Sequence, residues 1–286
     1  MALPTSPTIR RQRLGAELRQ LRRTEGLTLE QVCDRLGWAS TSKLSRIELG
    51  QSRPDLADVL DLLDIYTVSP AEKEKLIIIG RDAAATRGWW KALGEMGQLQ
   101  RGYAELETGA ATIFQYHQFL VPGLLQTPEY ARVRVRSGRD VYGDLDIEAD
   151  TRARVARPAV LRREQPPRYE AVLDEAALRW ASAPPEVLRG QLRHLLTVSE
   201  LATVSIRVLP FDAALHHSFV PHTGFSIYSF PDPADPRTVV LETLTSDIHL
   251  TDDEDVVLYA RIAGWLQDAA LPPAESAVFL AKLVAI

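Results

Sequence analysis

Residues Thr28 to Pro54 read TLEQVCDRLGWASTSKLSRIELGQSRP, and this stretch decides the fold of the first third of the chain. Thr28, with Gln31 three residues on, forms a capping box, in which a hydroxyl and an amide satisfy free N–H groups at a helix start. Leu29, Val32, Cys33 and Leu36 then make one apolar stripe, and Gly37 ends that helix. A further helix is expected from about Ser40 to Leu49, with Leu44 and Ile47 facing inward and Gly50 as its stop. The joint between the two is the short Gly37-Trp38-Ala39.

Towards the N-terminus, Ile9, Leu14, Leu18 and Leu21 fall near helical spacing and Gly26 follows as a stop. On the other side, Pro54-Asp55 opens a fourth helix with Leu56, Val59, Leu60 and Leu63 on its inner face. A fifth begins near Ser69-Pro70, where proline suits a first turn. Residues 1–80 are therefore expected to form an all-α domain of five helices, and residues 81–104 a helical connector holding Trp89 and Trp90, placed to act as a hinge. Beyond it the periodicity changes. Strands are expected at Ile113–His117, Arg168–Leu173, Val204–Leu209, Phe225–Phe230 and Thr238–Leu244. Helices are expected from Thr127, from Asp144 to Arg163, from Pro185 to Leu201, after a capping box of Thr251 and Glu254, and from Pro273. This mixture makes residues 105–286 a mixed α/β domain and the whole chain α+β.

A helix-turn-helix needs two short helices at a steep angle, the second with an apolar inner face and a polar outer face. Leu29, Val32, Cys33, Leu36, Leu44 and Ile47 supply the shared core, and Thr41, Ser42, Lys43, Ser45 and Arg46 the outer face. The segment resembles the Cro/C1 repressor-type (XRE) helix-turn-helix family, on Leu29, Leu36-Gly37, Ser45-Arg46-Ile47-Glu48, Gly50 and Arg53-Pro54. Trp38 makes the turn longer than in the shortest phage repressors. The resemblance implies base reading by Thr41, Ser42 and Arg46, with Lys43 as a fourth. Arg46 is the strongest reader, because a guanidinium pairs bidentately with guanine O6 and N7. Thr28, Ser40, Ser45, Arg53 and basic groups of the first helix are expected to hold phosphates. Glu48 is expected to pair within the motif, with an arginine such as Arg10 or Arg13.

Charge supports the same placement. Residues 1–54 carry ten basic and five acidic side chains, net +5, whereas the rest carries 23 and 33, net −10. A basic module on an acidic body puts the phosphate-facing surface at the start of the chain. There is no uninterrupted apolar run of roughly 18 residues, so no membrane span is expected. Residues 1–11 lack the apolar core of a signal peptide, and the single cysteine, Cys33, makes no internal disulfide. The expectation is a cytoplasmic protein.

A second resemblance rests on Gly88-Trp89-Trp90, Leu106-Glu107, Val121-Pro122-Gly123-Leu124-Leu125-Gln126-Thr127 and Tyr130-Ala131-Arg132, with Val204 to Phe211, Phe230-Pro231-Asp232 and Val240-Leu241-Glu242. Together these look like actinobacterial XRE-type regulators that carry an antitoxin-like C-terminal domain of unassigned function. That implies a regulator, often encoded beside a very small partner protein, with no established catalysis. The VPGLLQT element reads either as a loop lining a ligand or partner pocket, with Gln126 and Tyr130 as polar contacts, or as a strand-to-helix corner; Pro-Gly is mainly a turn signal.

Asp174, Glu175 and Glu242 are acid–base candidates. The rest of a mechanism is missing: no phosphate-binding glycine loop, nucleophile elbow or HExxH is present. No enzyme and no cofactor are expected. His216, His217 and His222 lack a complementary ligand set, so no metal is expected either. The acidic run Thr251–Asp255 suits the positive end of a helix dipole. The function expected is a homodimeric DNA-binding regulator of a palindromic operator, with a small protein partner or a small-molecule effector acting through the C-terminal domain. The alternative is an antitoxin-like interaction protein that binds a small neighbour-encoded partner and autoregulates.

Overall fold

The computed structural model describes residues 5–85, 98–142, 146–244 and 246–285. They fall into two compact units, the first taking in Met1–Gly88, Thr108–Ala110 and Phe230–Pro236, and the second Trp89–Glu107, Ala111–Ser229 and Arg237–Ile286. Trp89, Trp90 and most of the expected connector, residues 86–97, lie outside the described residues. Among the described residues no helix is long and apolar enough to cross a membrane.

The first unit contains α1 (Pro7–Thr24), α2 (Leu29–Leu36), α3 (Thr41–Glu48), α4 (Leu56–Ile65) and α5 (Pro70–Ala84). Four of these have a side-chain cap, from Ser6, Thr28, Asp55 and Ser69. At α2 the box closes in both directions: Gln31 N donates to the Thr28 hydroxyl at 3.2 Å, and Thr28 N donates to Gln31 Oε1 at 2.9 Å. Gly37 ends α2 with φ +67°, a left-handed conformation that a side chain would strain. Leu14, Leu18, Val32, Leu44, Val59, Leu62 and Leu76 from all five helices close one core, with Trp38 packed against it.

One close approach sets how α1 meets α3. A Cβ placed on Gly15 would stand 2.5 Å from the carbonyl oxygens of Ile47 and Glu48. Only hydrogen fits there, because the neighbours are backbone and cannot rotate away.

The second unit is built on a six-stranded mixed sheet, of strand order β3-β2-β1-β4-β5-β6. The strands are β1 (Thr112–His117), β2 (Arg168–Asp174), β3 (Val204–Leu209), β4 (Phe225–Ser229), β5 (Thr238–Glu242) and β6 (Asp247–Leu250). The first three run parallel; β4 turns back against β1, and β5 and β6 continue antiparallel. The parallel pairs need crossovers. That from β1 to β2 contains α7 (Pro128–Tyr142), α8 (Ile147–Ala156) and a 3-10 turn (Arg157–Arg162); that from β2 to β3 contains α9 (Glu175–Arg179) and α10 (Pro185–Ser199). Helix α6 (Gln98–Gly109) precedes the sheet, and α11 (Asp253–Ala269) and α12 (Pro273–Val284) follow it. The chain is α+β, with a helical helix-turn-helix region followed by a mixed-sheet domain.

Local readings differ from the structure in several places. The helix expected over Asp144–Arg163 tightens into the 3-10 turn at Arg157-Pro158, since proline donates no N–H. The strand expected to Leu244 stops at Glu242. Strand β6 and the five-residue α9 were not expected; both are too short for a periodic signal. The Thr251–Glu254 capping box does not form. Asp252 takes the N-cap without a side-chain bond, and three acidic residues fill the first turn, where the helix dipole favours them.

Replacing Gly15 by alanine is expected to destabilise the first unit by about 2 kcal/mol or more through overpacking. Urea denaturation of the full chain, followed on α-helical signal, measures this; an unchanged midpoint would contradict the close approach.

Candidate DNA-reading surface

Helix α3 is short, and its position comes from its neighbours. Leu44 and Ile47 point into the core, while Ser42, Lys43 and Arg46 are exposed and Thr41 and Ser45 are half-buried. Ser40 stands at its N-cap without a side-chain bond, so its hydroxyl does not satisfy the first N–H groups of α3. Of the expected phosphate contacts, Thr28, Ser40 and Arg53 are exposed. Arg46 and Arg53 have no ion-pair partner among the described residues. Lys43 is engaged: its ammonium lies 2.6 Å from Asp58 Oδ1 and 4.2 Å from the centroid of the Trp38 ring. The tryptophan in the turn is thus both a core contact and a platform for a cation at the edge of α3.

The end of α3 is locked. Glu48 is buried, and its partner is Arg22 rather than Arg10 or Arg13. Arg22 donates through Nε at 2.6 Å and through Nη2 at 2.9 Å, and its Nη1 reaches the Leu27 carbonyl at 2.8 Å. This hydrogen bond to Glu48 holds the guanidinium above its ordinary pKa. The reason for the changed partner is helical phase. Arg22 follows Arg13 by about two and a half turns, and so faces the other side of α1.

Arg10 and Arg13, on that other side, are not available to phosphates. Both are buried within the first unit, against the segment 230–236. Arg13 Nη1 donates to Asp232 Oδ2 at 2.6 Å and to Asp235 Oδ1 at 3.0 Å. Arg10 Nη1 donates to Asp232 at 3.2 Å, and its Nε lies 3.6 Å from Asp82. Of the other basic groups of the first helix, Arg19 and Arg23 are exposed. The proline-rich stretch Pro231–Pro236 gave no sign in the sequence of serving as this counter-charge; two aspartates between prolines read only as a turn.

The remaining candidates lie in the second unit. Gln126 and Tyr130 are buried. Gln126 Nε2 donates to the Val121 carbonyl at 2.7 Å, and the Tyr130 hydroxyl lies 3.0 Å from Ser182 Oγ. Gln191 spans the same segment, donating to the Leu125 carbonyl and accepting from Thr127 N. VPGLLQT is built as a strand-to-helix corner stitched from within. Asp174 caps α9 by accepting from Ala176 N at 2.9 Å, while Glu175 accepts from Phe211 N at 3.0 Å and pairs with Arg179. His216 stacks on Trp265 at 4.3 Å, and no group of three or more metal-ligating side chains occurs among the described residues. Cys33 is buried, with its thiol towards the Ser40 carbonyl and its pKa raised by burial.

Two outcomes follow from the aspartate pair. Arg13→Ala leaves Asp235 buried with weaker compensation, and is expected to cost about 3 kcal/mol. The hydrogen bond from Arg13 pulls Asp232 down to about 2 in the folded chain. Its contribution is therefore present above the unfolded value of about 4 and is lost as the pH falls towards the folded value. Denaturant midpoints measured between those limits should converge for the parent chain and Asp232→Asn; parallel curves would contradict the pairing.

Residues 13–76 match the family described as Helix-turn-helix domain, which places α2 and α3 inside a DNA-binding unit. Residues 100–282 match Domain of unknown function (DUF5753). No curated protein and no solved structure matches the chain. Since the second match spans more than half of the sequence and covers the whole mixed sheet, the chain belongs to the DUF5753 family, with a helix-turn-helix domain ahead of it.

Proposed function

We propose that this protein is a sequence-specific transcriptional regulator of the XRE type, in which α3 enters the major groove and Arg46 reads guanine. The observation that carries the proposal is the outer face of α3. Arg46 is exposed and free of an ion-pair partner, on a helix whose other face is fixed by Leu44, Ile47 and the Arg22–Glu48 pair. A guanidinium so presented loses no intramolecular pair on binding. Lys43 must leave Asp58 to reach a base, so it ranks below Thr41, Ser42 and Arg46 as a reader. Thr28, Ser40, Ser45 and Arg53 are assigned to phosphates.

The protein acts as a homodimer on a two-fold operator, with half-sites about one helical turn apart. The DUF5753 domain takes the input and has no catalytic role. That input works only by favouring one of two states of different DNA affinity. A second reading, an antitoxin-like protein that holds a small basic partner, draws on the net charge of −10 over residues 55–286. Co-purification of such a partner with the full chain distinguishes it.

Site selection with the full protein at fixed salt is expected to enrich a two-fold motif. Arg46→Ala should lower cognate affinity by about 1–3 kcal/mol and erase the preference at one base pair per half-site. Arg53→Ala should instead weaken cognate and random DNA alike, and reduce the slope of log K against log salt by about 0.9. Absence of any enriched motif, or an unchanged preference in Arg46→Ala, would count against the reading.

A further inference from the structure

Two neighbouring cations stand on the outer face of α3 in opposite conditions. Lys43 and Arg46 are three positions apart, and so share one side of the helix. Arg46 is exposed and has no ion-pair partner among the described residues, whereas Lys43 is held from two sides. Its ammonium lies 2.6 Å from Oδ1 of Asp58, a residue in the first turn of α4, and 4.2 Å from the centroid of the Trp38 ring. Both supports are fixed by the fold rather than by the lysine. Trp38 packs against the core of the first unit. The Asp58 side chain is only 15% exposed, against 46% for that of Lys43. All three residues belong to the first unit.

Such a seat adds little to folding, since a partly exposed ion pair is screened and costs side-chain entropy. Its consequence lies in binding. A free cation is drawn to any phosphate, and each phosphate neutralised adds about 0.9 to the slope of log K against log salt, whatever the sequence. Lys43 on Asp58 presents no net charge. Moving its ammonium to a phosphate exchanges one anionic oxygen for another, and leaves the Asp58 carboxylate facing a polyanion. The exchange gains little.

The loss falls unevenly on the two kinds of DNA. Binding to random sequence rests almost wholly on phosphates, so a silenced lysine on the reading helix weakens it directly. In the operator complex the same face of α3 meets base edges, and Arg46, Thr41 and Ser42 supply contacts that do not depend on Lys43. What a regulator needs is the ratio of the two affinities, because random sites outnumber the operator.

We infer that Asp58 is a specificity-determining residue: with Trp38 it withholds Lys43 from phosphates, and so keeps binding to random DNA weak relative to the operator. The inference rests on the reading of α3 as the helix that enters the major groove.

The test compares the full chain with Asp58→Asn, Lys43→Gln and the double variant, on the selected operator and on a random-sequence duplex, across a range of salt. Asp58→Asn should bind the random duplex about threefold to tenfold more tightly, with a slope steeper by about 0.9, and change operator affinity by less than about twofold. In the Lys43→Gln background the same substitution should lose most of that gain, because the effect passes through the lysine. An equal gain in both backgrounds would mean that Asp58 merely repels DNA, and would overturn the inference. So would an unchanged random affinity, or equal gains on the two duplexes. Elution from heparin gives a readout free of sequence: Asp58→Asn should leave at higher salt than the parent, and the double variant should not. If an operator is selected and these shifts are absent, the seat is wrong and the reading of α3 stands. If no operator is selected, the specificity role falls with that reading, and a heparin shift then reports the seat alone.

Discussion

The bidentate pair between Arg22 and Glu48 is the contact on which the first unit's working surface depends. Helix α3 spans two turns, far below the length at which a helix holds itself together in water. Its orientation is borrowed. Glu48 sits at its last turn with both oxygens taken, and Gly15 lets the same turn approach α1 to backbone contact. Leu44 and Ile47 fix the rotation of the helix about its own axis. Those restraints leave Ser42, Lys43 and Arg46 on the outside with no freedom to turn inward. A buried ion pair adds little net stability over apolar packing, but it specifies one arrangement among several of similar hydrophobic content.

The other charge cluster of the first unit works differently. Arg10 and Arg13 meet aspartates more than 200 positions away in sequence, in the loop between β4 and β5. A contiguous fragment ending near residue 88 would lack these partners and leave Arg10 with Asp82, and Arg13 with Glu17, as counter-charges. The helix-turn-helix unit is thus discontinuous in sequence, completed by residues 108–110 and 230–236.

Much of this was legible in the sequence. Caps and stops fixed the helices of the first unit to within a residue or two, since Thr28, Gly37, Pro54 and Pro70 act locally. Apolar strands interleaved with helices gave the α+β class of the second unit but not the order or direction of its strands. What could not be read depends on distant partners. Nothing near Glu48 distinguishes Arg22 from Arg13 except the phase of α1 combined with its crossing over α3. Asp232 and Asp235 carry no mark of where they fold to. Lys43 looks free until α4 brings Asp58 to it. The polar row on the sheet face away from α11, Gln115 and Ser226 with Glu242 and Asp247, was hidden for the same reason: each strand contributes one or two polar residues, and only the register lines them up. Glu242 was visible as a candidate acid, but its register partner Asp247 lies on another strand.

Because side chains alternate along a strand, the sheet's two characters are carried by parity alone. Glu242 and Leu241 are adjacent in sequence and belong to opposite faces. A single inserted or deleted residue within β1, β4 or β5 would exchange the polar row for the apolar one and bury carboxylate against α11. A residue is therefore inserted or removed at least cost in the connections, while the strands accept substitutions that keep the apolar and polar character of their odd and even positions.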